Sequence, residues 1–343
     1  MSLPDAVAVV LFAAVILYSV FAGADFGSGV WDLTAGSAKR GARIRRLIDH
    51  AIGPVWEANH VWLIFILVLL WTGFPQPFAA LMRALAVPFW LAGLGIVARG
   101  AGFAFRKYSP TLRWAQLAGI VFAVASLVTP FVLGAIAGAI ASGRVPADGD
   151  AGLWEPWLNP TSLLGGVLAV TTCTFMAGVL LTADAYGLGD EALTSELRSK
   201  SLIGGVVSGL VVLAGIPILI LDNLTLIDGL LGRGLPLVLI SGVAGLVTMY
   251  QLWKCRYRAA RIGAGIAVAT VVAGWGAAQY PWILVDEVTI TAGAGHRAAL
   301  IGLLVATGLA AVLVVPPLVY LFSLADSNLV GSVVSEETEA ASS

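Results

Sequence analysis

The chain has 343 residues, of which 59% are hydrophobic and 11% charged, and its mean hydropathy is +0.94. Soluble domains carry about 25% charged residues, so this composition excludes a water-soluble globular protein and points to an integral membrane protein. A net charge of −1 argues against a nucleic-acid role, and two distant cysteines, Cys173 and Cys255, exclude a disulfide framework or an iron–sulfur site.

A spanning helix needs roughly 20 mostly apolar residues. Windows that qualify run over residues 7–30, 54–74, 79–104, 114–141, 161–187, 202–221, 234–253, 262–281 and 298–324. The first lacks a basic n-region and leads straight into further spans, so it reads as a retained helix rather than a cleaved leader. The expectation is an all-α integral membrane protein of about nine transmembrane helices, arranged as two four-helix bundles plus one extra helix. Residues 1–325 form the polytopic domain, and residues 326–343, with Glu336, Glu337 and Glu339 among Ser and Ala, read as a disordered cytoplasmic tail.

Lys and Arg set the orientation. One set of alternate loops holds Lys39, Arg40, Arg43, Arg45, Arg46, Arg106, Lys107, Arg113, Arg198, Lys200, Lys254, Arg256, Arg258 and Arg261. The other set holds Arg144, Arg233 and Arg297, with Arg83 near a helix end. Positive charge collects on the cytoplasmic side, so the N-terminus is expected outside and the C-terminus inside.

Polar chemistry inside the spans comes next, in chain order. Asp25 falls about one turn from the cytoplasmic end of the first span, in Ala24-Asp25-Phe26-Gly27-Ser28-Gly29. Gly53-Pro54-Val55-Trp56-Glu57-Ala58-Asn59-His60-Val61-Trp62 opens the second span and leads into an unbroken apolar run to Trp71. A carboxylate near such a run costs about 2.5–3.5 kcal/mol at mid-bilayer and less near the edge. Glu57 and His60 are three apart and share a helix face, a pair suited to taking a proton from the cytoplasm and passing it inward. The plainer reading of Glu57 is a solvated helix start.

Arg99, on the third span, matches Asp25 in depth, and Gly100 and Gly102 beside it permit close helix approach. Asp184 closes the fifth span, in Ala183-Asp184-Ala185-Tyr186-Gly187. Four ionisable groups at one depth (Asp25, Glu57, Arg99 and Asp184) imply mutual pairing, since each alone is costly in lipid. Asp25 and Arg99 suit a structural pair that pins two helices at least as well as a proton carrier. The echo of the Asp25 segment at Asp184 suggests a four-helix unit used twice, over about 1–142 and 158–282, with the ninth helix at 298–324. Asp286 and Glu287 read as a solvated outer loop.

Three histidines restrict haem and metal options. His50 falls in a basic loop, His60 in a span and His296 on the outer side, so no pair is placed for bis-histidine ligation, and no HxxxH or HExxH occurs. His60 as a single ligand is the one remaining haem option, and a lone intramembrane His is more often hydrogen-bonded packing.

With these residues in hand, the chain resembles subunit II of the cytochrome bd-type quinol oxidases. The segment at Asp25 is similar to the family's G-F-D-x-G-x-G, the segment from Gly53 to Leu63 to its G-P-x-W-D-G-N-E-V-W-L, and Arg99 to Arg106 to its R-x-x-x-F-x-x-R. Trp56 and Trp62 are the motif's aromatics. Ala58 replaces the motif's Gly and His60 its Glu or Gln, so a divergent bd-like oxidase is also compatible. The resemblance implies a haem-bearing subunit I as partner, holding haems b and d and the quinol site and reducing oxygen to water. This chain would be a haem-free mate that binds no cofactor firmly, supports subunit I, and contributes to the proton pathway through Glu57, Asn59 and His60. Asp25, Arg99 and Asp184 would be structural intramembrane charges. Some members hold a structural quinone in this subunit or lead oxygen through it. Small single-span accessory subunits, lipid and quinone complete the implied surroundings, in a prokaryotic cytoplasmic membrane.

Two other classes fit part of the pattern. A secondary transporter with a charged site near the cytoplasmic face would also show a repeat and intramembrane charges, but its helices usually break at mid-membrane. A cytochrome b-type haem subunit would need more histidines than this chain has.

Overall fold

Apolar length builds the helices of this chain, and proline sets where they break. The computed structural model describes residues 2–37, 40–109, 111–314, 316–317 and 320, without the side chains of His50, residues 52–58, Lys107 and Leu112. The expected tail at 326–343 lies outside the described residues.

The chain order is α1 (Leu3–Thr34), α2 (Ala42–Gly73), α3 (Pro75–Ala84), α4 (Ala86–Tyr108), α5 (Leu112–Ala141), α6 (Pro160–Gly187), α7 (Glu191–Asp222), α8 (Leu224–Leu231), α9 (Leu235–Trp253) and α10 (Tyr257–Gln279). A two-stranded antiparallel hairpin, β1 (Trp282–Leu284) with β2 (Val288–Thr289), precedes α11 (Arg297–Val314). Among the described residues, eight helices are long and apolar enough to cross a membrane, and nine if one bent pair counts as a single span. The protein is a multi-pass, nearly all-helical membrane protein.

Three boundaries differ from the sequence expectation. The first span continues to Thr34, because Phe26, Trp31 and Asp32 are all buried and extend the packed face. Asp25 therefore sits nine residues from the helix end, about 14 Å along the axis, and not one turn. The second span begins at Ala42 rather than near 54, since Ile44, Leu47 and Ile48 pack inward against Trp31, Phe122, Leu181 and Leu197. The motif at 53–62 thus lies within α2 and does not open it. The third window divides: α3 turns by 118° from residues 59–73 of α2, and α4 begins only at Ala86. Pro75 starts α3, and Pro88 has no N–H to bond the Ala84 carbonyl, so a continuous helix across Leu85 would leave that oxygen unpaired.

At the centre, α1 packs against α2, α5, α6 and α10, while α6 packs against α5, α7 and α10. A Cβ on Gly27 of α1 would lie 1.9 Å from the Cys173 carbonyl oxygen of α6, so only Gly lets these two backbones meet. One apolar core collects at the end where α1 begins, with Val7, Leu11, Phe74, Leu85, Val132, Ile136 and Leu284. A second collects around Trp31 and Phe122 at the basic-loop end.

Polar contacts clasp the loops at the first of these ends. Arg144 grips Asp222 with two hydrogen bonds (2.6 and 3.1 Å), and the same carboxylate accepts from the Thr161 hydroxyl at 2.6 Å. Asp286 and Glu287 are not merely solvated, as the sequence suggested: Thr225 donates to Asp286 and the Ala147 amide to Glu287. A hairpin turn aims both carboxylates back at neighbouring loops.

Candidate functional site

The structure gathers buried polar groups where α1, α2, α4 and α5 meet. Asp25 on α1 is fully buried, and Arg99 on α4 is 2% exposed. Arg99 donates through Nη2 to Asp25 Oδ1 (2.6 Å) and to the Asp25 carbonyl (2.9 Å), and through Nε to Ser126 Oγ on α5 (2.9 Å). Asn59, 1% exposed, reaches across from α2 and donates Nδ2 to Asp25 Oδ2 at 3.1 Å. Three helices thus meet at one carboxylate, and α5 joins them through Arg99. Of the polar residues singled out along the spans, the fold brings Asp25, Arg99 and Asn59 together.

Aromatic rings complete the enclosure. The Arg99 guanidinium sits 5.2 Å from the Phe26 ring centroid and 4.8 Å from that of Phe122. Arg106 lies 5.1 Å from the same Phe122 ring, which therefore has two cations beside it. Arg106 in turn pairs with both Asp32 and Asp49, and Arg45 Nε donates to Asp32 at 2.7 Å. The arrangement is a ladder of two rungs. Asp25 and Asp32 are seven apart on α1, Arg99 and Arg106 seven apart on α4, and each spacing is about two helical turns. The lower rung, with Arg106 13% exposed, opens toward the basic loops, and the upper rung is sealed.

Asp184 does not belong to this cluster. It lies three residues from the end of α6, whereas Asp25 lies nine from the end of α1, so the two are at different depths. Its carboxylate accepts instead from Arg261 on α10 at 3.0 Å. Mutual pairing of the four charges is therefore corrected: two pair with each other, Asp184 pairs elsewhere, and the side chains of Glu57 and Trp56 lie outside the described residues. The Glu57 backbone is in α2, two residues before Asn59.

Three polar atoms near the upper rung make no hydrogen bond to any described residue: Asn59 Oδ1, Tyr18 Oη and Trp62 Nε1. Tyr18 is two turns from Asp25 on α1, and it packs with Phe26, Trp62, Leu63 and Ile66. Buried polar groups are nearly always satisfied, so these atoms suit bound water. His60, next along α2, is partly buried. Among the described residues, no group of three or more His, Cys, Asp or Glu gathers in a way that could hold a metal ion.

Sequence reasoning missed Asp32, Ser126, Phe122 and Tyr18. The matched seven-residue spacings of Asp25/Asp32 and Arg99/Arg106 were a usable signal for Asp32. Ser126 and Phe122 carry no such signal, because small hydroxyls and aromatics are ordinary in apolar spans.

A profile of the family described as cytochrome bd terminal oxidase subunit II matches residues 3–325. The cytochrome bd ubiquinol oxidase subunit 2 of Bacillus subtilis (strain 168) is 30% identical over 165 residues, covering 47% of this chain and 48% of that protein. The cytochrome bd-I ubiquinol oxidase subunit 2 of Escherichia coli (strain K12) is 29% identical over 203 residues, covering 57% of this chain and 50% of that protein. The chain spans about half the length of the curated relatives it matches. A chain from the structure of the bd oxidase of Geobacillus thermodenitrificans superposes with a TM-score of 0.77 at 25% identity, covering 94% of this chain and 98% of that one.

Proposed function

The chain belongs to the cytochrome bd terminal oxidase subunit II family, and from that premise we propose that it is the haem-free subunit of a bd-type respiratory quinol:oxygen oxidoreductase. Its mate is a haem-bearing subunit I, where haems b and d and the quinol site reside and where oxygen is reduced to water. Small single-span subunits are further partners of such an assembly, and lipid and quinone surround it. The N-terminus faces outward in a prokaryotic cytoplasmic membrane, in keeping with the bias of Lys and Arg toward alternate loops.

The observation that carries this reading is the Asn59–Asp25 hydrogen bond. It joins the family's long motif on α2 to a buried ion pair formed from the motifs on α1 and α4. All three segments by which the chain resembles the family meet at one carboxylate. The Arg99–Asp25 pair holds α1 to α4, with Asn59 adding α2 and Ser126 adding α5, so its first role is structural.

Proton delivery is assigned to Glu57, Asn59 and His60. A carboxylate on the basic-loop half of α2 takes a proton from the cytoplasm, and water held by Asn59 Oδ1 carries it onward. Asn59 itself holds a fixed polar position and does not titrate. The exposed apolar faces of α2 and α4, with Ile64, Trp71, Trp90, Leu94 and Val97, suit docking against a second multi-span subunit. Two units of four spans, residues 1–142 and 158–282, support the same reading. α2 and α7 are each 32 residues long and each is followed by a short helix, α3 or α8, before the next span.

A transporter would share the sharp bend between α2 and α3. That bend lies at the end of a 32-residue helix and not at its middle, so no substrate site is framed there by broken half-helices. Purification in mild detergent separates the two readings. The chain should copurify with a haem protein that gives a reduced-minus-oxidised difference spectrum and consumes oxygen with quinol. Recovery alone, with solute transport in vesicles, would overturn the assignment.

A further inference from the structure

We propose that the α9–α10 hairpin carries a binding site for an anionic phospholipid, with an acyl chain in an apolar groove and its phosphate at the basic turn. A groove of about 350 Å³ runs between the two helices, lined by Leu239, Ile240, Val243, Ala244, Val247 and Ile266. Only 11% of the apolar window of α9 is buried, so this face is open to lipid.

Charge complementarity selects the occupant. The turn closing the hairpin carries Lys254, Arg256 and Arg258, all exposed, and among the described residues none has a carboxylate partner. The other nearby cations are engaged: Arg261 is held by Asp184, and Arg198 donates to Cys255 Sγ at 3.2 Å. Val247 lies seven residues before Lys254, about 10 Å along α9, so the groove ends roughly one headgroup length from the cations.

An aromatic collar marks the level of the interface. Tyr250 and Trp253 are exposed, and the Lys254 ammonium stands 4.5 Å from the Trp253 ring centroid. Trp and Tyr favour the headgroup level, and basic clusters between helices on the cytoplasmic side favour anionic headgroups. The first turn of α10 also lacks a side-chain cap, which leaves its amides facing the same turn. Apolar groove, aromatic collar and uncompensated cations follow one another in the order of tail, interface and headgroup. A quinone would leave the cations unpaired, and a single-span polypeptide would need its own acidic residues at this level.

Native mass spectrometry of the purified complex tests the site, and because it reads bound lipid rather than turnover, it is independent of the oxidase assignment. The probe is an equimolar mixture of palmitoyl-oleoyl phosphatidylglycerol and phosphatidylcholine. The wild type should retain phosphatidylglycerol with at least a fivefold preference. The triple variant Lys254→Gln, Arg256→Gln, Arg258→Gln should lose that preference, and Val243→Trp, which fills the groove from an exposed position, should reduce retention of both lipids. An undiminished preference in the triple variant, unchanged retention in Val243→Trp, or release of a quinone or small polypeptide instead of phospholipid would each overturn the proposal.

Discussion

Replacing Asp25 by Asn keeps the volume and one acceptor but removes the anion, and the structure sets the size of the effect. Arg99 is 2% exposed and cannot turn to water. After the substitution it retains the carbonyl at position 25 and Ser126 Oγ as acceptors and the rings of Phe26 and Phe122 as neighbours. No counter-charge remains beside it on the upper rung. Stranding one member of a buried ion pair costs about 3–5 kcal/mol. Against a total stability of about 5–15 kcal/mol, that is enough to deplete assembled protein severely. The surface pair of Arg43 with Asp190 provides the contrast. Arg43 is 54% exposed, so Arg43→Ala should cost no more than about 1 kcal/mol. Removing both buried charges in Asp25→Asn/Arg99→Met should recover about 1–3 kcal/mol relative to the sum of the single changes. The assay is the yield of assembled complex per milligram of membrane, with the thermal midpoint of the solubilised protein. Wild-type yield and midpoint in Asp25→Asn, with turnover alone reduced, would refute the structural role and place Asp25 in the proton route.

Glu57→Gln should leave assembly intact and slow quinol-driven oxygen consumption per haem, while Glu57→Asp retains it; full turnover in Glu57→Gln across a wide pH range would exclude an obligatory proton role. Gly27→Ala places a Cβ 1.9 Å from the Cys173 carbonyl oxygen and should cost about 1–3 kcal/mol by forcing α1 from α6, whereas Gly209→Ala on α7, with nothing within 4 Å, should be neutral or slightly stabilising; comparison of thermal midpoints checks both. Cys255 is exposed and Cys173 buried, so a membrane-impermeant maleimide should label only Cys255, and only in inverted vesicles. Labelling in right-side-out vesicles would reverse the orientation of the chain.

How far the amino-acid sequence alone determines this protein follows from the range of each force. Bilayer thickness demands about 20 apolar residues, so the spans could be located from composition along the chain. The three family motifs were equally visible, since they are contiguous. Even the breaks at Phe74 and Leu85 had local causes in Pro75 and Pro88; the first fell at the end of an apolar window, and the window over 79–104 concealed only the second. Partner choice was different. Arg99 and Asp25 are 74 residues apart, and Asp184 takes Arg261 at a separation of 77. Which cation reaches which carboxylate depends on helix neighbourhood and depth. Depth moved by about one turn once Phe26, Trp31 and Asp32 extended α1 from residue 30 to Thr34. The same is true of Ser126 and Phe122, ordinary residues of an apolar span until α5 is set against α4. Only tertiary packing made them part of a buried charged site, because hydrogen bonds and ring contacts act over a few ångströms between segments whose separation in sequence carries no record of their meeting.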